Sequence, residues 1–442
     1  MSLDMPATTG LDTFTARRQL EQAILLWWDL HGADDTTGGV LTCFSNRGEL
    51  QSTEKYTWSQ GRWAWLCAEI ARDAAQGVLD QDSSLWTGRA LRTAQFLLDH
   101  TLLDDGHTVF RVERDGQPLV SDSAGGLSTS VFADLFAALG LAGAAALPQC
   151  PEDLRHSCIT AADMILDSAA RRIADRSALS EPYPVPAGFT DMAGPMTLLH
   201  VGSEMFRLYG SAIGSRVSTQ ALADLVGGGT AGKTGGGSTE PMWAEGQWWE
   251  FKPDALADAD TLLARHKTPG HLLECIWMVL HAADAAAIHT AAIPAWLADL
   301  AVRALELGWD NHHGGLFRYI DQDGGAPRGR SLQGDRYEAL VNSTWNTKLW
   351  WVHTEAMYAT ALLAQRFGRD DLAAWNHRIT EYTLATFPDP AGQEWIQIRD
   401  RLGHPLDRVV ALPVKDPFHI ARSLMFLNRL DVTRSHTTRR EP

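Results

Sequence analysis

The sequence predicts an all-α protein: a single closed toroid of six helical hairpins, an (α/α)6 barrel, with short β-hairpins at one end. Three observations lead there. About a dozen stretches carry apolar residues at helical spacing. Strand-like alternation appears only in short pieces, and four of them recur: 38–48, 106–116, 314–324 and 392–403. Each runs from a glycine through an alternating aromatic or β-branched segment to a polar turn. The first two begin 106 − 38 = 68 residues apart and the last two 392 − 314 = 78 apart, and each interval holds about two helices. Paired helices with a small hairpin at one end, repeated along the chain, stack until they close on themselves.

The elements follow in order. Residues 14–31 place Leu20, Ile24, Trp27, Trp28 and Leu30 near one face, and 58–75 continue with Trp58, Trp65, Leu66 and Ile70. Helices are then expected over 86–102, 127–147, 153–175 and 195–213, with one or two weaker ones between 216 and 265. In 269–288, Thr268 is placed to cap and Pro269 to occupy the first position. Helices at 293–308, 345–367, 371–387 and 417–431 complete the set, the last opened by Asp416-Pro417. The barrel is expected over 13–432, with disordered tails at 1–12 and 433–442. The Gly-rich 227–240 reads as a mobile surface loop. Within it, Gly227 to Thr234 (GGGTAGKT) fits the string GxxxxGK[ST]. A phosphate loop needs a strand before it and a helix after it. Here a helix-like run precedes and a run of glycines ending in Pro241 follows, so a linker is expected.

Charge and composition narrow the partners. Of 442 residues, 38 are Lys or Arg and 54 Asp or Glu, a formal net charge of −16. That argues against non-specific nucleic-acid binding and against an anionic membrane surface. The longest apolar run, 135–147, is too short to span a bilayer, and the first residues lack the apolar core of a signal peptide. Cys43, Cys67, Cys150, Cys158 and Cys275 show no CxxC spacing, so reduced core thiols in a cytoplasmic protein are expected. Seventeen tryptophans stand against seven tyrosines. Indoles suit the C–H faces of sugars and also fill cores, and core filling is the commoner use.

Four segments carry chemistry. In 55–65 (KYTWSQGRWAW), Arg62 offers a multi-donor cation beside aromatic rings, suited to a polyhydroxyl or a developing oxyanion. A surface ion pair is the plain alternative. In 268–277 (TPGHLLECIW), His271 falls in a first helical turn with Glu274 one turn on. A helix N-terminus disfavours imidazolium, so His271 is expected to be neutral, the form a general base needs; a structural histidine is the alternative. In 348–355 (KLWWVHTE), Trp351 and Glu355 share a face while His353 points elsewhere. They suit sugar hydroxyls, or a core tryptophan with a buried ion pair. In 414–422 (VKDPFHIAR), Asp416 is placed to cap and His419 falls in another first turn. Two histidines at equivalent places in two helices suit a two-base proton-transfer site. No HxH or HxxxH spacing accompanies either, so no metal is expected.

Together these segments resemble the N-acylglucosamine 2-epimerase family, which includes cellobiose 2-epimerases and mannose or sulfosugar isomerases. The matching pieces are KYTWSQGR (55–62), PMTLLHVGSE (195–204), PGHLLECIW (269–277), GWDNHHGGLF (308–317), KLWWVHTEAM (348–357), EWIQIRDRLG (394–403) and FHIAR (418–422), in family order. The resemblance implies an α/α six-hairpin barrel and an enzyme that moves the C2 proton of an opened reducing sugar through a cis-enediol(ate). It implies His271 and His419 as the acid/base pair and Arg62 at the developing oxyanion. Tyr56, Trp58, His200, Glu274, Trp277, Trp351, His353 and Glu355 would contact the sugar. It implies no cofactor, a small-molecule sugar as partner, and a monomer or homodimer. The acylglucosamine branch carries a Gly/Lys-rich stretch before its last histidine; this chain has VKDPF (414–418), which favours a free hexose over an N-acylhexosamine. Two other classes remain open: an inverting glycosidase, needing two carboxylates about 6.5–9.5 Å apart with Glu274 and Glu355 as the candidates, and a non-catalytic sugar- or protein-binding member.

Overall fold

The computed structural model describes residues 13–120, 126–227, 240–285, 293–332, 334–391, 394–407 and 415–438. The chain opens with α1 (Thr13–Arg18), which runs into two π-helical stretches, Gln19–Leu25 and Trp28–Gly32. Hairpins follow: α2 (Thr57–Ala75) with α3 (Ser83–His100), α4 (Val131–Ala145) with α5 (Glu152–Ala174), and α6 (Ala193–Tyr209) with α7 (Ala212–Val226). A four-residue α8 (Leu262–Arg265) precedes α9 (Pro269–Asp284), which pairs with α10 (Trp296–Gly308). A short α11 (Arg336–Thr344) precedes α12 (Trp350–Phe367), paired with α13 (Asp370–Thr386), and α14 (Phe418–Thr438) is last.

The first helix of each hairpin packs on the next: α2 on α4, α4 on α6, α6 on α9, α9 on α12, α12 on α14, and α14 back on α2. That is a closed inner ring of six. The partners α3, α5, α7, α10 and α13 lie outside it, and α1 packs against α14 as the sixth outer element. The predicted (α/α)6 barrel is therefore observed, with its last hairpin made from both ends of the described chain.

Four two-stranded ribbons mark one end of the ring. Lys55–Tyr56 leads into α2 and pairs with Arg111–Val112. Phe189–Asp191 precedes α6 and pairs with Phe251–Pro253, His266–Lys267 precedes α9 and pairs with Ile320–Asp321, and Lys348–Leu349 leads into α12 and pairs with Ile398–Arg399. The hairpins expected of the glycine-bounded pieces close locally, Val112 bridging Pro118 and Arg399 bridging Pro405. Three of those pieces pair in addition with residues at the start of an inner helix, and 38–48 makes only bridges, Ala33 to Val40 and Phe44 to Leu50. A lone two-stranded hairpin is marginal in water, whereas a strand fixed by the following helix is an ordered template.

Helix limits shift for identifiable reasons. The expected 195–213 helix divides at Gly210, whose φ of 76° ends α6 in a left-handed cap. The expected 345–367 helix starts only at Trp350, because Lys348–Leu349 is strand. The expected tail at 433–438 is the end of α14. Residues 1–12, 228–239 and 439–442 lie outside the described residues, and with them the other tail segments and most of the Gly-rich loop. What precedes that loop is the helix α7, as the sequence suggested.

Packing between α2 and α4 is backbone to backbone. A Cβ on Gly61 would stand 2.0 Å from the Phe136 carbonyl oxygen, and one on Gly140 would stand 2.5 Å from the Gly61 oxygen. Gly61 immediately precedes Arg62, so this contact also sets the height of that guanidinium. Gly61→Ala is expected to cost about 3 kcal/mol, the upper part of the overpacking range. A denaturant midpoint equal to that of the parent chain would refute this account of the α2–α4 contact.

Eight of the 17 tryptophans are among the largest fully buried side chains, so indoles chiefly fill the core. All five cysteines are buried and unpaired, and burial pushes the Cys43 thiol up to about 11. Among the described residues no helix is long and apolar enough to cross a membrane. At the end of the ring away from the ribbons, Glu69 is bridged by Arg72, Arg207 and Arg429, beside a cavity of about 410 Å³.

Candidate active site

The inner helices begin at the ribbon end, and their first two turns bring Arg62, His271, Trp351 and His419 together. Pro269 occupies the first position of α9, as expected, but Thr268 makes no side-chain cap. Before α14 the cap is made: Asp416 Oδ1 accepts from the Phe418 amide at 2.8 Å. Its other oxygen accepts from Arg62 Nη1 at 2.8 Å and lies 3.7 Å from His419 Nε2. The Arg62 guanidinium stands 4.0 Å from the centre of the Phe136 ring and 5.1 Å from that of Phe418.

Trp351 packs against both histidines. Its indole centroid is 5.1 Å from the His271 ring and 5.6 Å from the His419 ring. Trp351, His271, Arg62 and Asp416 are partly exposed, and His419 lies just beneath them. These are the groups an entering ligand meets.

Behind them is a buried ionic frame. His419 Nδ1 donates to Glu355 Oε1 at 2.8 Å and stands 3.6 Å from Glu274 Oε1. Arg422 Nη2 donates to Glu274 Oε1 at 2.5 Å and Glu355 Oε1 at 2.7 Å. Trp277 Nε1 donates to Glu355 Oε2 at 2.8 Å. A carboxylate only accepts, so the His419 contact places its proton on Nδ1 and leaves Nε2 for chemistry. Burial, reinforced by Arg422 and Arg62, holds the His419 imidazole well below its usual range and therefore neutral.

His271 is held differently. Its Nδ1 lies 2.7 Å from Oε1 of the buried Glu250. Burial opposes charge on the ring, but Glu250 outweighs it and the pKa is raised. The expected neutral His271 is thus corrected: a carboxylate in contact overrides the partial charge of a helix N-terminus. The sequence reading missed Glu250. It sits in the aromatic strand-like run Trp248-Trp-Glu-Phe-Lys-Pro253, where a lone carboxylate among rings signals a buried charge that needs a partner.

The remaining predicted residues divide. Trp58 is half-buried at the edge of the group, its ring 5.6 Å from the Arg62 guanidinium. Tyr56 lies behind it, buried edge-on to Phe110. Glu274, Trp277 and Glu355 are buried beneath the site and brace it rather than line it. His200 is buried against Trp277 and Trp65, its Nε2 without a partner, and burial keeps it neutral. His353 is not brought to the site. Fully buried, it accepts from the Leu316 amide at Nε2 and donates to the Leu349 carbonyl at Nδ1, so neither nitrogen is left for a sugar.

The geometry also speaks against an inverting glycosidase. Ligand atoms of Glu274, Glu355 and His419 lie within 4.8 Å of one another, short of the 6.5–9.5 Å carboxylate spacing expected for inversion. The positive charge that such a cluster calls for is already supplied by Arg422.

Comparison with known proteins shows what the chain as a whole is similar to. The family model described as N-acylglucosamine 2-epimerase (GlcNAc 2-epimerase) matches residues 234–423. The chain is similar to N-acylglucosamine 2-epimerase of Bos taurus, 26% identical over 419 residues that cover 92% of this chain and 88% of the relative. The Homo sapiens protein of the same name is 25% identical over 425 residues, covering 92% and 87%. Among solved structures, cellobiose 2-epimerase from Bacillus thermoamylovorans B4167 superposes with a TM-score of 0.70 at 16% identity, covering 95% of this chain and 99% of the other. A D-mannose isomerase superposes with a TM-score of 0.67 at 13% identity, covering 97% and 100%.

Proposed function

We propose that this chain, similar over most of its length to N-acylglucosamine 2-epimerases, is an isomerase that moves the C2 proton of a free reducing sugar by histidine acid/base catalysis. The observation that carries this reading is the pair of imidazoles that both pack on Trp351, one held neutral and the other drawn towards the imidazolium. Environments that push two titratable groups apart assign the base and the acid.

The substrate reacts as its open aldehyde, whose carbonyl acidifies the C2–H. His419 Nε2 takes that proton. Negative charge develops on the former carbonyl oxygen of the cis-enediolate, and the Arg62 guanidinium stabilises it. His271 returns a proton to C2 from the opposite face, giving the 2-epimer; return to C1 gives the ketose.

A mannose- or glucose-type hexose is preferred over an N-acylhexosamine. In place of a Gly/Lys-rich stretch, the residues before His419 are committed elsewhere: Lys415 to Glu394 and the Trp395 carbonyl, and Asp416 to Arg62 and the Phe418 amide.

The test is proton NMR in D2O with separate samples of mannose, glucose, N-acetylglucosamine, N-acetylmannosamine and cellobiose. Deuterium entering C2, fastest for mannose or glucose, is the expected result, and the new sugar signal names epimer or ketose. Absence of C2 exchange in all five samples would overturn the proposal.

A further inference from the structure

We propose that Glu250 is a positioning residue for proton transfer at His271: it fixes the ring and keeps the proton on Nδ1, so that Nε2 is the nitrogen that exchanges with the sugar. The proposal rests on the reading above and assigns a role to a residue outside the sugar-contacting set.

Glu250 is placed by its backbone. The following residues, Phe251–Pro253, pair with Phe189–Asp191, and the Glu250 carbonyl accepts from the Met192 amide at 2.9 Å, just ahead of α6. Its side chain therefore crosses from the α6 side of the ring to the start of α9. The carboxylate is buried, so it meets His271 and not the ligand. A carboxylate 2.7 Å from Nδ1 selects the Nδ1–H tautomer of the neutral ring and stabilises the doubly protonated ring. Trp351, tilted by 32° to the imidazole, limits the ring's swing from the other side. His419 meets Glu355 in the same way at 2.8 Å, so each of the two histidines has its own buried carboxylate at Nδ1.

Other charges act on the same pair. Glu274, one turn along α9, also favours the imidazolium, while Arg318, from the segment after α10, opposes it. Around Glu250, His266 favours its ionised form, whereas Asp191 and Lys267 respond to its charge. Among these, Glu250 is the carboxylate in hydrogen-bonding contact with the His271 ring.

The test is Glu250→Gln, which keeps an acceptor of similar size and removes the charge. The His271 ring signal is identified by its loss in the His271→Gln spectrum, and its titration is followed by heteronuclear NMR. The midpoint is expected to fall by about 1 to 3 in pH, the usual effect of losing a contacting charge. The alkaline limb of kcat/KM should move down with it, because protonated His271 is then lost earlier. Glu250→Asp, which retains the charge on a shorter arm, should give a midpoint between the two and recover part of the activity. Should the Gln variant not fold, the Asp variant still decides through its own midpoint. An unmoved midpoint in either variant overturns the role given to Glu250. A chain that exchanges no sugar C2 proton overturns the proposed function separately, and the titration, which needs no substrate, still reports whether Glu250 governs His271.

Discussion

On the proposed function, removing either imidazole is expected to slow interconversion of the C2 epimers by about 10²–10⁴-fold, the usual share of a positioned acid or base. The two variants differ in what remains. In His271→Ala, His419 still removes the C2 proton that faces it and returns a solvent-derived one to the same face. One epimer therefore takes up deuterium without being converted. In His419→Ala the other epimer does so. The paired experiment follows deuterium entry and product formation from each epimer separately. Residual exchange from the same epimer in both variants would show that the imidazoles do not address opposite faces, and the two-base assignment would fall. The His271 ring is partly exposed, so its truncation is not expected to unfold the chain; His419 is buried, and circular dichroism of His419→Ala checks that the fold is retained.

Arg422→Met carries the largest expected loss of stability. The guanidinium is fully buried and bonds both Glu274 and Glu355 through one nitrogen. Methionine fills much of the same volume but leaves two buried carboxylates close together without a cation. Breaking a buried ion pair on one side costs about 3–5 kcal/mol. Denaturant unfolding followed by circular dichroism should show that loss. The triple variant Arg422→Met with Glu274→Gln and Glu355→Gln should recover much of it, because the uncompensated charge goes with the cation. Unchanged stability in Arg422→Met alone would mean that the pair needs no such partner.

The fold was legible because its signals are local. Helical spacing marks every inner helix, and Pro269, Gly210 and Asp416 punctuate boundaries as their backbone chemistry requires. The ribbons were only half legible because their second partners lie elsewhere in the chain: Ile398 accepts from the Leu406 amide across its own turn and also pairs with Leu349. The site divided along the same line. Arg62, His271 and His419 stand out in their own segments, but the protonation of His271 depends on Glu250, 21 residues away in a different element. His353 shows the converse: its segment looks functional, and only the fold reveals that backbone groups have taken both nitrogens.

The ring is shut by the packing of α1 and α2 against α14, and this bears on how the chain folds. Arg62 and Asp416, which meet across that seam, are 354 residues apart in sequence. Until α14 has left the ribosome, the earlier helices form an open arc with an uncovered apolar edge. Closure must bear the entropy of joining distant ends before the last contacts reward it. A nascent arc of this kind is prone to pair with another copy or to engage a chaperone. It also lacks the proposed base, since His419 arrives with α14: on the proposed function, catalytic competence and ring closure are one event in the life of the chain.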